Sequence, residues 1–297
     1  MVYKKRWFII GMVGVMLLFC GCSQVLNATV GNDMDTEETS GGQSDTISYD
    51  ITDWDRRTEF ESEVKIDLNV LNSDSVDADN YFYDQGCLTI NEGGDYIITG
   101  KSNECRIVVN VYDDENVHLV FDDVELHTES GPAVLVEKAG KVIITSKDRT
   151  ENVISDGTEY ASSDEACIFS NCDLTINGNG TLNVFGYYHD AIRSKDRIKV
   201  VDSRLIIKAK NDGIRGNDGV IIENGDIEIE SEGNGLLANS EKGFVSVSGG
   251  SCKIISGENA IYANNYVLVK NCEKNLYSVK EAIRCNGQTE MDGDNTK

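Results

Sequence analysis

The phrase HDAIRSKD at 189–196 returns as NDGIRGND at 211–218, GNGLLANS at 233–240 and ENAIYANN at 258–265, with a shortened EAIRC at 281–285. Its anchors Asp190, Asp212, Asn234, Asn259 and Glu281 are spaced 22, 22, 25 and 22 residues apart. A unit this short cannot bury its own apolar face, so a fixed period in this range implies stacked supersecondary units sharing one elongated core. The chain is therefore expected to wind as a solenoid.

Each period carries two more short runs rich in β-branched residues: RIKVV (197–201) and RLIIKA (204–209), GVIIE (219–223) and DIEIE (226–230), FVSVS (244–248) and CKIIS (252–256). Three strands with tight Gly, Asn, Asp and Ser turns fill such a period, whereas a helix of ordinary length leaves too little chain for the rest. Similar triplets run upstream through 167–185, 133–155 and 106–127, with a partial coil at 87–99 and an opening strand at 65–70. Pro132, the only proline, suits a backbone that must hydrogen-bond on both edges. The expected fold is all-β, a right-handed parallel β-helix of roughly eight three-strand coils.

Lys4, Lys5 and Arg6 precede an apolar run, Trp7 to Phe19, that is too short for a comfortable membrane span and ends at Gly21 and Cys22. This reads as an export leader over 1–21. It resembles a bacterial lipoprotein signal with Cys22 lipidated, although Phe19 and Cys20 depart from the usual upstream residues. The rest of the chain is then extracytoplasmic and held to a bacterial membrane through its N-terminal lipid. Residues 22–50 are acidic and poor in apolar groups, the composition of a disordered tether. Residues 51–64 are expected to form a short amphipathic helix capping the first coil, because a solenoid must cover its end. The parallel β-helix domain is expected over 65–285, with 286–297 a disordered tail.

With 51 Asp and Glu against 27 Lys and Arg the net charge is −24, and −27 once Lys4, Lys5 and Arg6 leave with the leader. Nucleic acid is a poor partner for such a surface. Cations and neutral polymers suit it better, and an anionic polymer would need bridging metal. Beyond Cys22 lie Cys87, Cys105, Cys167, Cys172, Cys252, Cys272 and Cys285, an odd set without a CxxC pair. They read as free core thiols, and no histidine stands at ligand spacing from them for a zinc site. A monomer is expected.

Residues one period apart in a parallel β-helix stack at about 4.8 Å. Asp190 then lies over Asp212, and Asp196 over Asp218. Carboxylates so placed repel unless a cation lies between them, which makes both pairs candidate calcium sites. The alternative is structural: Asp and Asn recur at turns because they cap local amides. Three residues on runs a second column, Arg193, Arg215, Leu237, Tyr262 and Arg284. Arginines could grip uronate carboxylates and Tyr262 could offer a face to a sugar ring; alternatively each arginine neutralises a neighbouring aspartate. Tyr187, Tyr188 and Tyr266 are either a further platform or ordinary surface tyrosines.

The phrases GDYIITG (94–100), VHLVFDDVEL (117–126), GPAVLVEKAGKVIIT (131–145), ACIFSNCDLTINGNGTLNV (166–184) and NDGIRGND (211–218) resemble those of the bacterial carbohydrate-binding β-helix family. The resemblance spans about residues 64–285. It implies a secreted or surface-held protein with a polysaccharide-lyase-like fold, associated with calcium and with cellulose or pectic acid binding. The family's acidic positions fall on Asp190, Asp212, Asp196 and Asp218, while Asn234, Asn259 and Glu281 replace aspartate in later coils. A non-catalytic polysaccharide-binding protein is the expected function. A calcium-dependent pectate-type lyase, with Arg193 or Arg215 as base, is the alternative; such enzymes usually wall their cleft with long loops, of which this sequence has almost none, the longest departure from the coil rhythm being SDGTEYASSDEA at 155–166. A surface scaffold or adhesin is the third possibility.

Overall fold

Short apolar-alternating strands cannot close a core alone, so each is hydrogen-bonded to its counterpart one coil away. The protein is described by a computed structural model over residues 50–60, 63–71, 75–160 and 166–292. Parallel strands stack as a β-solenoid of about eight turns with three faces. The first face is an 11-stranded sheet that includes Ala166–Ser170, Asp190–Ser194, Ile214–Gly216, Leu236–Ala238, Ile261–Ala263 and Ile283–Cys285. The second and third faces belong to one 16-stranded sheet, joined because Asn116–His127 bends around the corner. Its first half pairs with Lys141–Ser146 on the second face and its last residues pair with Glu151–Ser155 on the third.

Inside, like residues stack in register. Ile168, Ile192, Ile214, Leu236 and Ile261 form one such column of the core, all essentially inaccessible. Each buried aliphatic side chain contributes about 1.5–3 kcal/mol relative to exposure. Alternate residues point outward, and on the first face these are the chemically distinctive ones.

The corner between the second and third faces demands a left-handed residue in nearly every coil: Asp123, Arg149, Gly178, Asp202, Asn224, Gly249 and Asn271 all have positive φ. Asn, Asp and Gly tolerate this region and Arg does not. Arg149, at φ 61°, makes an exposed ion pair with Asp148 and no other ion pair among the described residues. Arg149→Gly is accordingly expected to stabilise the protein by about 1 kcal/mol, read as a higher urea midpoint with unchanged slope.

The ends are finished differently from expectation. Val76–Asp77, Tyr81–Asp84 and Cys87–Ile90 pair antiparallel at the beginning of the first face, a meander the repeat did not foretell. Residues 50–60 contain no helix; they lie as a strap on the outside of the second face. The cause is polar. Asp55 accepts from Lys199 Nζ at 2.8 Å and Thr175 Oγ1 at 2.7 Å, while Asn177 Nδ2 donates to the carbonyls of Asp55 and Arg57, each at 2.9 Å. Arg57 makes a two-pronged bond to Asp95, beside buried His118. Burial holds the His118 ring well down, at about 4. An apolar pattern could not reveal a strap whose attachment is a row of outward-facing polar residues.

The tail is also shorter than expected, because Gln288–Met291 adds a strand to the second face, paired with Tyr266–Val269. Its four residues are all exposed, so they carry no alternation by which a strand is recognised. The seven cysteines from Cys87 to Cys285 are free thiols, three of them buried. The leader, Cys22 and all but the last residue of the tether lie outside the described residues.

Candidate functional site

On the first face the outward position is occupied, coil by coil, by Phe169, Arg193, Arg215, Leu237, Tyr262 and Arg284 in unbroken register. The stacking follows from the repeat: equal spacing brings these residues to neighbouring rungs at about 4.8 Å. Earlier members of the column, Val108, Leu135 and Phe169, are apolar and buried. The accessible polar positions therefore begin at Arg193, whose guanidinium lies 5.7 Å from the Phe169 ring, and are interrupted by buried Leu237 between Arg215 and Tyr262. At the other end Arg284 stands over Tyr262 at 5.1 Å. Both contacts have the geometry of cation–π pairs and hold the cations along the face.

Two residues further on, and so on the same outward side, each coil presents a second polar group: Lys195, Asn217, Asn239, Asn264 and Asn286. Tyr262 donates to Asn264 Oδ1 at 2.9 Å, and Asn286 Nδ2 donates to the same oxygen at 2.9 Å. Asn264 in turn donates to the Asn239 carbonyl at 2.6 Å. The sequence reading passed over this asparagine row, although it sits inside the repeated phrase. The signal was its spacing of two from the arginine column.

The aspartate column lies at the turn entering the face. Asp190 Oδ1 accepts from the Asp212 backbone N–H at 3.0 Å and from Asn211 Nδ2 at 2.8 Å. Asp212 Oδ1 accepts from Asn234 through backbone and side chain at 2.8 and 2.9 Å, and Asn234 Oδ1 accepts likewise from Asn259. Each side chain thus caps the next coil, which explains why asparagine can replace aspartate without breaking the column. Gly233 is required beside it, since a Cβ there would come within 2.7 Å of Asp212 Oδ1. Arg215 Nη1 lies 3.9 Å from Asp190 Oδ2 and 4.0 Å from Asp212 Oδ2, and His189 Nδ1 lies 2.9 Å from Asp190 Oδ1. Burial first, and then the Asp190 charge, raise the Asp212 carboxyl above its ordinary value.

These two pairs fit a metal differently. Asp190 and Asp212 are buried, their Oδ1 atoms accept from amide donors and Arg215 supplies positive charge beside them, while Asp190 Oδ2 has no hydrogen-bond partner among the described residues. Asp196 and Asp218 lie nearer solvent at the next turn, joined through the Asp218 N–H to Asp196 carbonyl bond at 3.0 Å. Partial burial, then the charges of Asp173 and Asp218, raise the Asp196 carboxyl, as expected where negative charge is poorly compensated. Among the described residues no three His, Cys, Asp or Glu converge tightly enough to hold a metal by themselves.

Upstream of the strip, Tyr160 and Tyr188 stack with ring centroids 4.3 Å apart. Buried Asp156 accepts from the Tyr160 hydroxyl and the Tyr187 backbone N–H, each at 2.6 Å, and burial pushes its carboxyl up to about 6.

Residues 84–296 match a family model described as carbohydrate-binding domain-containing protein. A protein of that description from Acetivibrio thermocellus is 30% identical over 149 residues, which are 47% of this chain and 52% of the relative. That match spans about half of the relative's length. Among solved structures, the polysaccharide lyase-like protein from C. thermocellum, as its gadolinium derivative, superposes with a TM-score of 0.73 and 27% identity. The superposition covers 78% of this chain and 97% of that one.

Proposed function

The chain belongs to the carbohydrate-binding domain-containing protein family, and we propose that it is a non-catalytic binding protein of the bacterial cell surface, holding an extended acidic plant cell-wall polysaccharide along the first face. The observation that carries this reading is the register of Arg193, Arg215, Tyr262 and Arg284, flanked by the asparagine row. An extended glycan repeats along its length, and a solenoid offers matching groups at a fixed rise. Guanidinium groups bond carboxylates in a planar fork, asparagine amides exchange hydrogen bonds with hydroxyls, and Tyr262 presents an aromatic surface to the apolar side of a sugar ring.

Calcium, in this reading, is held at Asp196 and Asp218, with Asp173 adding negative charge. Two carboxylates are too few for the six to eight oxygen ligands calcium takes, so the ion would fill its shell with water and glycan carboxylate. Such an ion joins an acidic protein to an acidic polymer. The cation–π seats and ion pairs of the arginines favour binding over lysis: Arg193 lies against Phe169 and Arg215 against two carboxylates, which leaves neither well placed to remove a proton. Lipidation of Cys22 would keep the domain at the membrane.

Calorimetric titration of the protein with polygalacturonate, in calcium and again in chelator, tests the proposal. Saturable heat that weakens on chelation is expected, and Tyr262→Ala should lower affinity about tenfold, or ~1.4 kcal/mol. Ultraviolet absorbance from unsaturated products in the same samples would instead establish the lyase. Absence of heat with every acidic glycan would dismiss the binding role of this face.

A further inference from the structure

The third face, built from Glu151–Ser155, Thr181–Gly186, Arg204–Ala209, Asp226–Ser231, Ser251–Ser256 and Glu273–Ser278 in register, sorts its charges by coil. One rung presents three cations and no acid: Arg204, Lys208 and, one residue past its strand, Lys210. The next presents four acids and no cation: Asp226, Glu228, Glu230 and, again one residue past the strand, Glu232. All of these side chains are more than half exposed. The rung before the cations carries no charge and ends on Phe185 and Tyr187, with ring centroids 6.3 Å apart. The rungs after the acids carry Ile255, Tyr277 and Val279, which with Tyr187 are four of the eight large apolar residues that stand exposed, so accessible apolar surface is concentrated on this side.

Within one chain the two charged rungs pair with each other, Lys208 with Glu230 at 3.2 Å and Lys210 with Glu232 at 2.6 Å. Exposed pairs of this kind add little to stability, so the fold itself does not call for a rung of one sign beside a rung of the other. Their order has a symmetry that a second molecule can use. A two-fold axis normal to the face, midway between the charged rungs and at the middle of their strands, lays the cations of one copy on the acids of another, and the acids on the cations. Counted from that axis, Arg204, Lys208 and Lys210 meet Glu232, Glu228 and Asp226 of a second copy, while Val153 meets Tyr277 and Phe185 meets Lys253. On a chain of net charge −24, whose copies otherwise repel, a rung of cations without an acid is the exception that permits contact. Six rungs of six residues cover roughly 500 Å² on each copy and about 1,000 Å² in all, the scale of a weak, reversible dimer.

We propose that the third face is a self-association surface, on which two copies of this chain pair antiparallel across a two-fold axis. This departs from the monomer expected from the sequence. It does not depend on what the first face binds. Each copy keeps its first face outside the contact, so the pair would present two arginine columns and could hold one polymer at two points.

Sedimentation velocity of the full chain over a concentration series tests the proposal. A reversible monomer–dimer equilibrium is expected. Lys208→Glu and Glu228→Lys each create two like-charge contacts in the homodimer, and each should raise the dissociation constant about a hundredfold or more. An equal mixture of the two single variants should regain the dimer, because each copy then meets the opposite charge at both contacts. Loss of an ion pair inside one chain could not be repaired by mixing. A parent that stays monomeric throughout the series overturns the proposal. Association that survives both charge reversals overturns it as well, since it would belong to another surface, such as the N-terminal apolar run. Variants that remain monomeric when mixed overturn the two-fold arrangement.

Discussion

Asp55→Ala is expected to lower the free energy of unfolding by about 3–5 kcal/mol, the usual cost of leaving one member of a buried ion pair alone. Asp55 and Lys199 are 1% and 2% exposed, and Lys199 has only the Asp55 carboxylate and the Asp50 carbonyl as described polar partners. Without Asp55 the ammonium group stays buried and uncompensated, and the strap that supplies both partners loses its anchor. The double variant Asp55→Ala, Lys199→Met should recover most of the loss, since it removes the stranded charge. Urea unfolding followed by circular dichroism reads all three proteins. If the single variant unfolds at the parent's midpoint, the strap is not docked in solution.

The effect carries a pH signature. Burial alone would raise the Asp55 carboxyl, but hydrogen bonds from Lys199, Thr175 and Thr52 outweigh it and hold the group at about 2. A carboxyl lowered on folding stabilises fully above its unfolded value, near 3.9, and loses that contribution as pH falls through about 2. The gap between the parent and Asp55→Ala should thus be constant near neutrality and narrow between about pH 4 and pH 2.

Arg215→Ala is expected to act on both stability and binding. Its guanidinium lies 3.9 Å from Asp190 and 4.0 Å from Asp212, and Asp212 is already raised by burial and by its neighbour. Loss of the cation should cost about 2 kcal/mol at neutral pH, below the full buried-pair value because Arg215 is partly exposed. The deficit should shrink on acidification, as the raised Asp212 carboxyl takes up its proton. Polygalacturonate affinity should also fall by about tenfold or more. Arg215→Lys retains charge without the planar fork, so it should restore stability better than it restores affinity. Full affinity in Arg215→Ala would show that the glycan does not use the middle of the strip.

Much of this was legible because a solenoid is a periodic object. The 22-residue step places Arg193 beside Arg215 and Tyr262 beside Arg284, and pairing on the first face follows that count residue for residue. The same step stacked Asp190 on Asp212, yet it was silent on whether their oxygens faced a metal or the amides of the next coil. That distinction depends on side-chain direction at a turn, which spacing does not encode. The asparagine row was overlooked for a related reason: Asn217 and Asn264 read as turn residues until their outward placement is seen.

Features without periodicity were the ones left to the fold. The strap at 50–60 attaches through single polar groups to residues more than a hundred positions away, a pairing no local pattern announces. The final strand, Gln288–Met291, lacks an apolar face and forms because Tyr266–Val269 presents an open edge to it. Repetition in the chain determined the solenoid and its columns, since equal spacing forces equal residues onto adjacent rungs. Only the tertiary structure decided which columns face water, which carboxylates are already satisfied and where the non-repeating ends come to rest, because those outcomes depend on contacts between segments that share no period.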